Sequence, residues 1–261
     1  LSYFFYEGRP ATTKGKWFNP LTFLSLRSAA KSKIIPESES PIFITGTGRS
    51  GSTILRRVLS VHKQVGFLNE PKALWHTANP LDDIIGSYSS FSGAYILQAG
   101  HSSPGITQKV KAIYSAYLKK TNSSRILDKY PEMIFRVEFL NAIFKQPKYI
   151  FLIRNPWDTI GSTASWSASH ANNLKNENWW GVGNRKWKLL VEQVIPSDAL
   201  LAEHKQFISL LNNQYDMAAV EWIATMNFGL KMMQKYPEKV LQVKYEDLCS
   251  QPDETLCRIF E

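Results

Sequence analysis

The sequence is short of cysteine, short of acid relative to base, and without a long apolar run. Cys249 and Cys257 are its two cysteines, eight apart near the C-terminus. That spacing gives neither a metal-ligand set nor a disulfide framework. A helix in this stretch would make them ordinary buried or half-buried thiols. No segment approaches 18 consecutive apolar residues, so no helical membrane span lies within these limits. Asp and Glu number 22 against 31 Lys and Arg, a net charge of +9. The deficit of acid fits an anionic partner: nucleic acid, a phosphorylated cofactor, an acidic glycan or a membrane surface. The basic residues are scattered and form no nucleic-acid motif, which argues against nucleic acid. No internal repeat appears.

What is present is an ordinary globular composition, 44% hydrophobic and 20% charged over 261 residues. That length allows one large α/β domain or two small ones. Residues 1–40 lack a clear period, mix aromatics with Lys and Arg, and read as an extension draped over a single domain at 41–261. "ESES" at 37–40 is a polar break before the first strand. "IFITG" (42–46) is a short apolar run ending in glycine, the pattern of a buried parallel strand. "STILRRVLSVH" (52–62) places Ile54, Leu55, Val58, Leu59 and Val61 at helical spacing. Further strands are expected at 65–71, 125–131, 148–156 and 240–248, with helices at 133–144 and from Asn155. Residues 214–235, apolar nearly all round, predict a buried helix. Strands alternating with helices predict an α/β, P-loop-like three-layer fold, a central parallel sheet flanked by helices. Two polar stretches, 86–106 and 170–188, are expected over the strand ends, where open α/β sheets bind ligands.

The loop "TGTGRSGST" (45–53) follows the first strand and opens a helix. Its glycines let the backbone approach an anion closely, and the amides and dipole of the helix start favour negative charge. Ser50, Ser52 and Thr53 offer hydroxyl donors, and Arg49 a planar, permanently charged fork. A triphosphate loop would place Lys at position 52, and an Asp at a nearby strand end to hold magnesium. Here position 52 is serine, and the strand "YIFLI" ends in Arg154. In "RNPWDTIGS" (154–162), Asn155 is placed to cap the helix, Pro156 fits its first turn, and Asp158 stands three residues after the cap. Ser162 shares a helix face with Asn155, so Arg154 and Ser162 can grip one phosphate together.

"GRSGST" followed by "RNPWDTIGS" resembles the sulfotransferases that use 3′-phosphoadenosine 5′-phosphosulfate (PAPS). The resemblance spans about residues 41–261. It implies that the loop residues Arg49, Ser50, Gly51, Ser52 and Thr53 bind the 5′-phosphosulfate, and that Arg154 and Ser162 bind the 3′-phosphate. "VKYEDL" (243–248) followed by Pro252 resembles a third family stretch, in which Tyr245 would touch the adenine. "FLNEPKALWH" (67–76) looks like the carbohydrate and tyrosylprotein sulfotransferases, with Arg in the loop and a catalytic glutamate, here Glu70. Lys129 in "DKYP" resembles a lysine placed near the sulfonate. The small-molecule members carry a Trp that stacks on adenine where this chain has Ile54. Family members also have a C-terminal loop completing the 3′-phosphate site, and the chain ends at Glu261 before it.

The chemistry implied is in-line transfer of a sulfonate to an acceptor hydroxyl, without metal. Glu70 is the general base, and Arg49 and Lys129 balance charge. A glycan or glycolipid is the first acceptor class, with a tyrosyl peptide or small alcohol as further choices. Lys129 read alone is equally a plain ion partner of Asp128, and Tyr245 a core tyrosine. His62 reads as a structural or capping histidine. His76 reads as packed. Trp179, Trp180 and Trp187 either stack on a sugar or anchor a loop. Two other functions compete: a degenerate P-loop kinase or nucleotidase, and a non-catalytic anion or glycan binder. The cysteines lean toward the cytosol, with a Golgi-lumen enzyme lacking its anchor as the alternative.

Overall fold

The structure is a computed structural model and describes residues 2–9, 15–90, 93–171 and 177–261. The described residues contain seven strands: β1 (Ile42–Gly46), β2 (Val65–Asn69), β3 (Arg125–Lys129), β4 (Lys148–Ile153), β5 (Glu177–Asn178), β6 (Gly181–Val182) and β7 (Val240–Lys244). β5 and β6 form a small antiparallel hairpin. The other five pair in parallel, in the order β2-β3-β1-β4-β7. The helices are α1 (Ser2–Phe5), α2 (Asn19–Ala29), α3 (Ser52–Leu59), α4 (Lys72–Ala78), α5 (Pro104–Thr121), α6 (Val137–Ile143), α7 (Pro156–Ala171), α8 (Arg185–Leu189), α9 (Lys205–Ser209), α10 (Gln214–Lys235), α11 (Tyr245–Ser250) and α12 (Pro252–Phe260). The α/β three-layer expectation is met.

Side chains alternate across the sheet as strand geometry requires, and both faces are covered. Phe43 and Phe151 point into the larger core, with Trp75 of α4, Tyr114 of α5, Phe139 of α6 and Ala224 of α10. Ile44, Ile150 and Leu152 point into the smaller one, with Leu55 and Leu59 of α3 and Leu248 of α11. A buried face on each side explains why β1 and β4 read as continuous apolar runs.

Several elements depart from the sequence reading. β2 and β3 end at 69 and 129, because Glu70-Pro71 and Tyr130-Pro131 turn the chain there. The helix expected at 133–144 is a 3-10 turn (Pro131–Arg136) running into α6. α3 stops at Leu59, and Val61 lies outside it, exposed. α10 has the expected bounds but is buried on one side only, with Ile223 and Leu230 turned outward, since it packs on α7 and the sheet from one direction. α5 arose in a stretch where no element was expected. Ser103 caps it, accepting from the Ile106 amide at 3.2 Å. The described residues of 1–40 contain α1, α2 and two 3-10 turns, with α2 packed on α4 and α5. Both cysteines are exposed, a correction: α11 and α12 bury Leu248 and Thr255, which leaves Cys249 and Cys257 on their outer sides.

Candidate active site

The strand order lays the chemistry out across the sheet. Reading from β2 to β7, the residues at or just past the C-terminal strand ends are Glu70, Lys129, the loop Thr47–Ser52, Arg154 and Tyr245. The register aligns them: Asn69 is level with Lys129, Gly46 with Leu152, and Ile153 with Lys244. Four strand spacings cover roughly 19 Å. β1 is the strand at which chain order reverses, the position where such sheets open a crevice. A cavity of about 430 Å³ fills it, lined by Arg49, Gly51, Ser52, Thr53, Arg154, Ser162 and Tyr245 toward one end and by Glu70 and Lys129 at the other.

The loop is built for close approach. Gly51 has φ 89 and cups the Tyr245 ring, so a Cβ there would lie 2.2 Å from it. A Cβ at Gly48 would lie 2.2 Å from the Trp179 ring. Arg49 takes φ 68 and donates from Nε to Ser162 Oγ at 3.0 Å. Arg154 Nη1 donates to the Arg49 carbonyl at 3.1 Å, and its guanidinium lies 4.7 Å from the Tyr245 ring centroid. Trp222 of α10 fixes the strand end by donating to the Arg154 carbonyl at 3.1 Å. Thus the loop, β4 and α7 meet through two arginines and one serine. Thr47 Oγ1 and Arg154 Nε are buried without a partner, and of the two residues Arg154 lines the cavity. Ser50 is fully buried, does not line the cavity, and donates its hydroxyl to the Thr47 carbonyl at 2.7 Å.

Asn155 caps α7, accepting from the Trp157 amide at 2.9 Å. The capping box is not completed as the spacing predicts. Glu246, not Asp158, accepts from the Asn155 amide, at 2.8 Å. Asp158 instead reaches Arg154, 3.7 Å away. Glu246 thereby ties β7's exit to β4's.

At the other end, Glu70 has φ 46, a left-handed conformation rare for glutamate. Its carboxylate pairs with Lys129 and lies 3.5 Å from Lys72. Burial would raise its pKa, but Lys129 and then Lys72 outweigh it and hold the carboxyl at about 2. Lys129 therefore pairs across strands with Glu70. Asp128 points to the opposite face, accepting from Tyr114 at 2.7 Å and Trp75 at 3.0 Å, which sets aside the reading of an Asp128–Lys129 pair.

The spacing rules gave no sign of Lys72, Glu132, Lys186 or Trp166, all on the cavity wall. Lys186 is almost fully buried, 3.0 Å from Glu132 and 2.6 Å from Glu221, and sits 4.5 Å from the Trp179 ring centroid. Burial lowers its pKa, but the two carboxylates more than reverse that and raise it. Their signal is tertiary: segments 131–132, 166, 179–186 and 221 converge only on folding. Of the three tryptophans considered, Trp179 lines the cavity, while Trp180 and Trp187 are buried in the core. Residues 172–176 of the Asn/Trp stretch, and 91–92 of the Ser/Gly/Tyr stretch, lie outside the described residues. Ser87 of the first stretch, with Ile85 just before it, and Trp179, Gly181, Val182 and Lys186 of the second do reach the cavity. His62 accepts from the Gln64 amide at 3.3 Å. His76 packs between Phe23 and Tyr88, its pKa lowered by burial. Neither histidine lines the cavity.

Comparison with known proteins places this arrangement. The nodulation protein NoeE of Sinorhizobium fredii is 24% identical over 236 residues, covering 83% of this chain and 48% of NoeE. The chain thus spans about half the length of that relative. The sulfotransferase domain of the curacin biosynthetic pathway superposes with a TM-score of 0.49 at 20% identity, over 87% of this chain and 73% of that one. For the sulfotransferase domain of the Synechococcus PCC 7002 olefin synthase the values are 0.48 and 21%, over 84% and 71%. The sulfotransferase family model matches residues 41–192, from β1 through the loop, Glu70, Lys129, Arg154 and Ser162, with only Tyr245 of the cavity's strand-end residues beyond it. With more than half of its length matched, and with the matched strands carrying four of the five groups that meet in the cavity, the chain belongs to the sulfotransferase family.

Proposed function

We propose that the protein transfers a sulfonate from PAPS to an acceptor hydroxyl on a glycan or glycolipid. The observation that carries this is the lateral order of strand ends. A cation–carboxylate pair, a lysine-free anion loop, an Arg/Ser pair and an aromatic ring stand in one line along one cavity. That line suits a nucleotide with phosphate at two positions and its reacting group at the Glu70 end. Tyr245 and Arg154 hold the adenosine end, with Ser162 joining Arg154 on the 3′-phosphate. The loop amides, Ser52, Thr53 and Arg49 hold the 5′-phosphosulfate.

The acceptor oxygen attacks sulfur, and the bond from sulfur to the bridging oxygen breaks. The electron pair leaves with the phosphate of adenosine 3′,5′-bisphosphate, and the hydroxyl proton passes to Glu70. Arg49 and the loop amides meet the charge that develops on the leaving phosphate. Glu70 held at about 2 is fully ionised but a weak base. When Lys129 turns to the sulfonate, the largest influence lowering Glu70 is withdrawn. Burial then raises its basicity as chemistry begins. Trp166 and Trp179 line the same cavity and supply aromatic surface for a sugar acceptor.

Glu70→Gln tests the assignment. Turnover of PAPS with a glycan acceptor panel should fall by 10²-fold or more, while calorimetric binding of adenosine 3′,5′-bisphosphate stays unchanged. Retained turnover would remove Glu70 as the base.

A further inference from the structure

α2 is built inside out. Its buried line is Asn19, Thr22, Leu26 and Ala29, half of it polar. Leu21 and Leu24 point outward, Leu24 64% exposed, and Trp17 of the preceding 3-10 turn (Lys16–Phe18) is 81% exposed. α1 extends the same surface with Tyr3 and Phe4, both about half exposed. The two elements are one piece: Phe4 and Phe18 rings meet at 5.5 Å, Trp17 and Phe18 at 5.7 Å, and Thr22 Oγ1 donates to the Phe4 carbonyl at 2.7 Å. Five large apolar side chains thus stand exposed on α1, the 3-10 turn and α2, more than scattered surface hydrophobics account for.

The sequence that carries the patch is mostly basic. Residues 1–33 contain Arg9, Lys14, Lys16, Arg27, Lys31 and Lys33 against a single carboxylate, Glu7. Glu7 is buried and lies 3.6 Å from Arg9. Lys16, Arg27, Lys31 and Lys33 are exposed. A protein partner's recognition core is usually depleted in lysine. An apolar helix face preceded by a tryptophan, with exposed Lys and Arg and with Glu37 as the first exposed acid beyond it in sequence, fits the boundary of an anionic bilayer.

We infer that α1 and α2 dock the protein onto an anionic lipid surface. Trp17, Leu21 and Leu24 enter the headgroup–acyl boundary, and Lys16, Arg27, Lys31 and Lys33 lie at phosphate level. The patch belongs to the β2 side of the sheet: α1 packs on β2, and α2 on α4, the helix that begins two residues after Glu70. Phe23 of α2 touches His76 of α4 and Tyr88. Docking therefore brings the Glu70 flank of the molecule, not the Tyr245 flank, nearer the bilayer.

The test is co-sedimentation of the whole chain with phosphatidylcholine vesicles, with and without phosphatidylserine. Binding to the anionic vesicles should exceed binding to neutral ones by at least about tenfold and fall as salt rises. Trp17→Ser/Leu24→Ser and Arg27→Gln/Lys31→Gln should each lose most of it, with thermal unfolding midpoints unchanged because the positions are exposed. If a variant unfolds, the lipid and salt titrations of the unaltered chain decide. No preference for anionic vesicles overturns the inference. So does concentration-dependent self-association that Trp17→Ser/Leu24→Ser abolishes, which would make the patch a protein interface.

Discussion

Arg49 and Glu70 hold left-handed backbone conformations that cost of order 1–3 kcal/mol each. The other described non-glycine residues with positive φ are Asn122 and Asn184, of a type that tolerates it. Strain is thus concentrated at the proposed base and in the loop after β1, two groups of the same cavity. Arg154 joins three of its parts: the loop carbonyl, the Tyr245 ring and Asp158. Arg154→Ala should weaken adenosine 3′,5′-bisphosphate by about 1.5–3 kcal/mol, roughly ten- to hundredfold. Calorimetry checks this, and undiminished affinity would remove Arg154 from the nucleotide site. Asp128, behind Lys129, is a different case. Burial lifts its carboxyl to about 7 against the opposing hydrogen bonds from Tyr114 and Trp75. An unfolded aspartate titrates near 3.9, so the native state binds this proton more tightly. Its stabilising contribution is present below about pH 4 and is lost as pH rises through about 7. Asp128→Asn keeps an acceptor for both donors without the titration. Urea unfolding across that window should show a flatter pH profile than the unaltered chain.

Element scale explains what was legible along the chain. β1, β4 and the α10 bounds were readable because both faces of a central strand, and a long helix, leave strong apolar signals. α2 was unreadable because Leu21 and Leu24 point outward while its buried line begins with Asn19 and Thr22. α10 shows a packing limit that propensity alone would miss. Gly229 faces the Phe151 ring so closely that a Cβ would lie 2.1 Å from it. Gly229→Ala gains about 1 kcal/mol in helix propensity. It must also push α10 off the sheet, where overpacking costs about 1–3 kcal/mol. The net change should be destabilising, read as a lowered thermal midpoint. A raised midpoint would show that the interface yields freely.

For the whole molecule, the sheet order decides the proposed site. In sequence the groups run loop, Glu70, Lys129, Arg154, Tyr245. In space they run Glu70, Lys129, loop, Arg154, Tyr245, because β1 sits between β3 and β4. Charge along this line comes from arginines and lysines, with no Walker-type lysine at position 52 and no aspartate ending β4. Among the described residues, no three His, Cys, Asp or Glu side chains gather as a metal site. On the proposed sulfonate transfer, turnover of PAPS should be unchanged by a chelator. Its loss in EDTA, restored by magnesium, would favour the kinase-like reading instead.

The sequence by itself determined the α/β alternation, the glycine-bearing loop between β1 and α3, the Asn155 cap and the family, since each is carried by residues adjacent in the chain. The tertiary structure alone decided that Lys129 pairs with Glu70, that Asp128 turns away, and that Lys186 bridges Glu132 and Glu221. Those contacts join residues tens of positions apart. Their partners are fixed by strand order and by the side of the sheet each residue faces, and no local spacing encodes either.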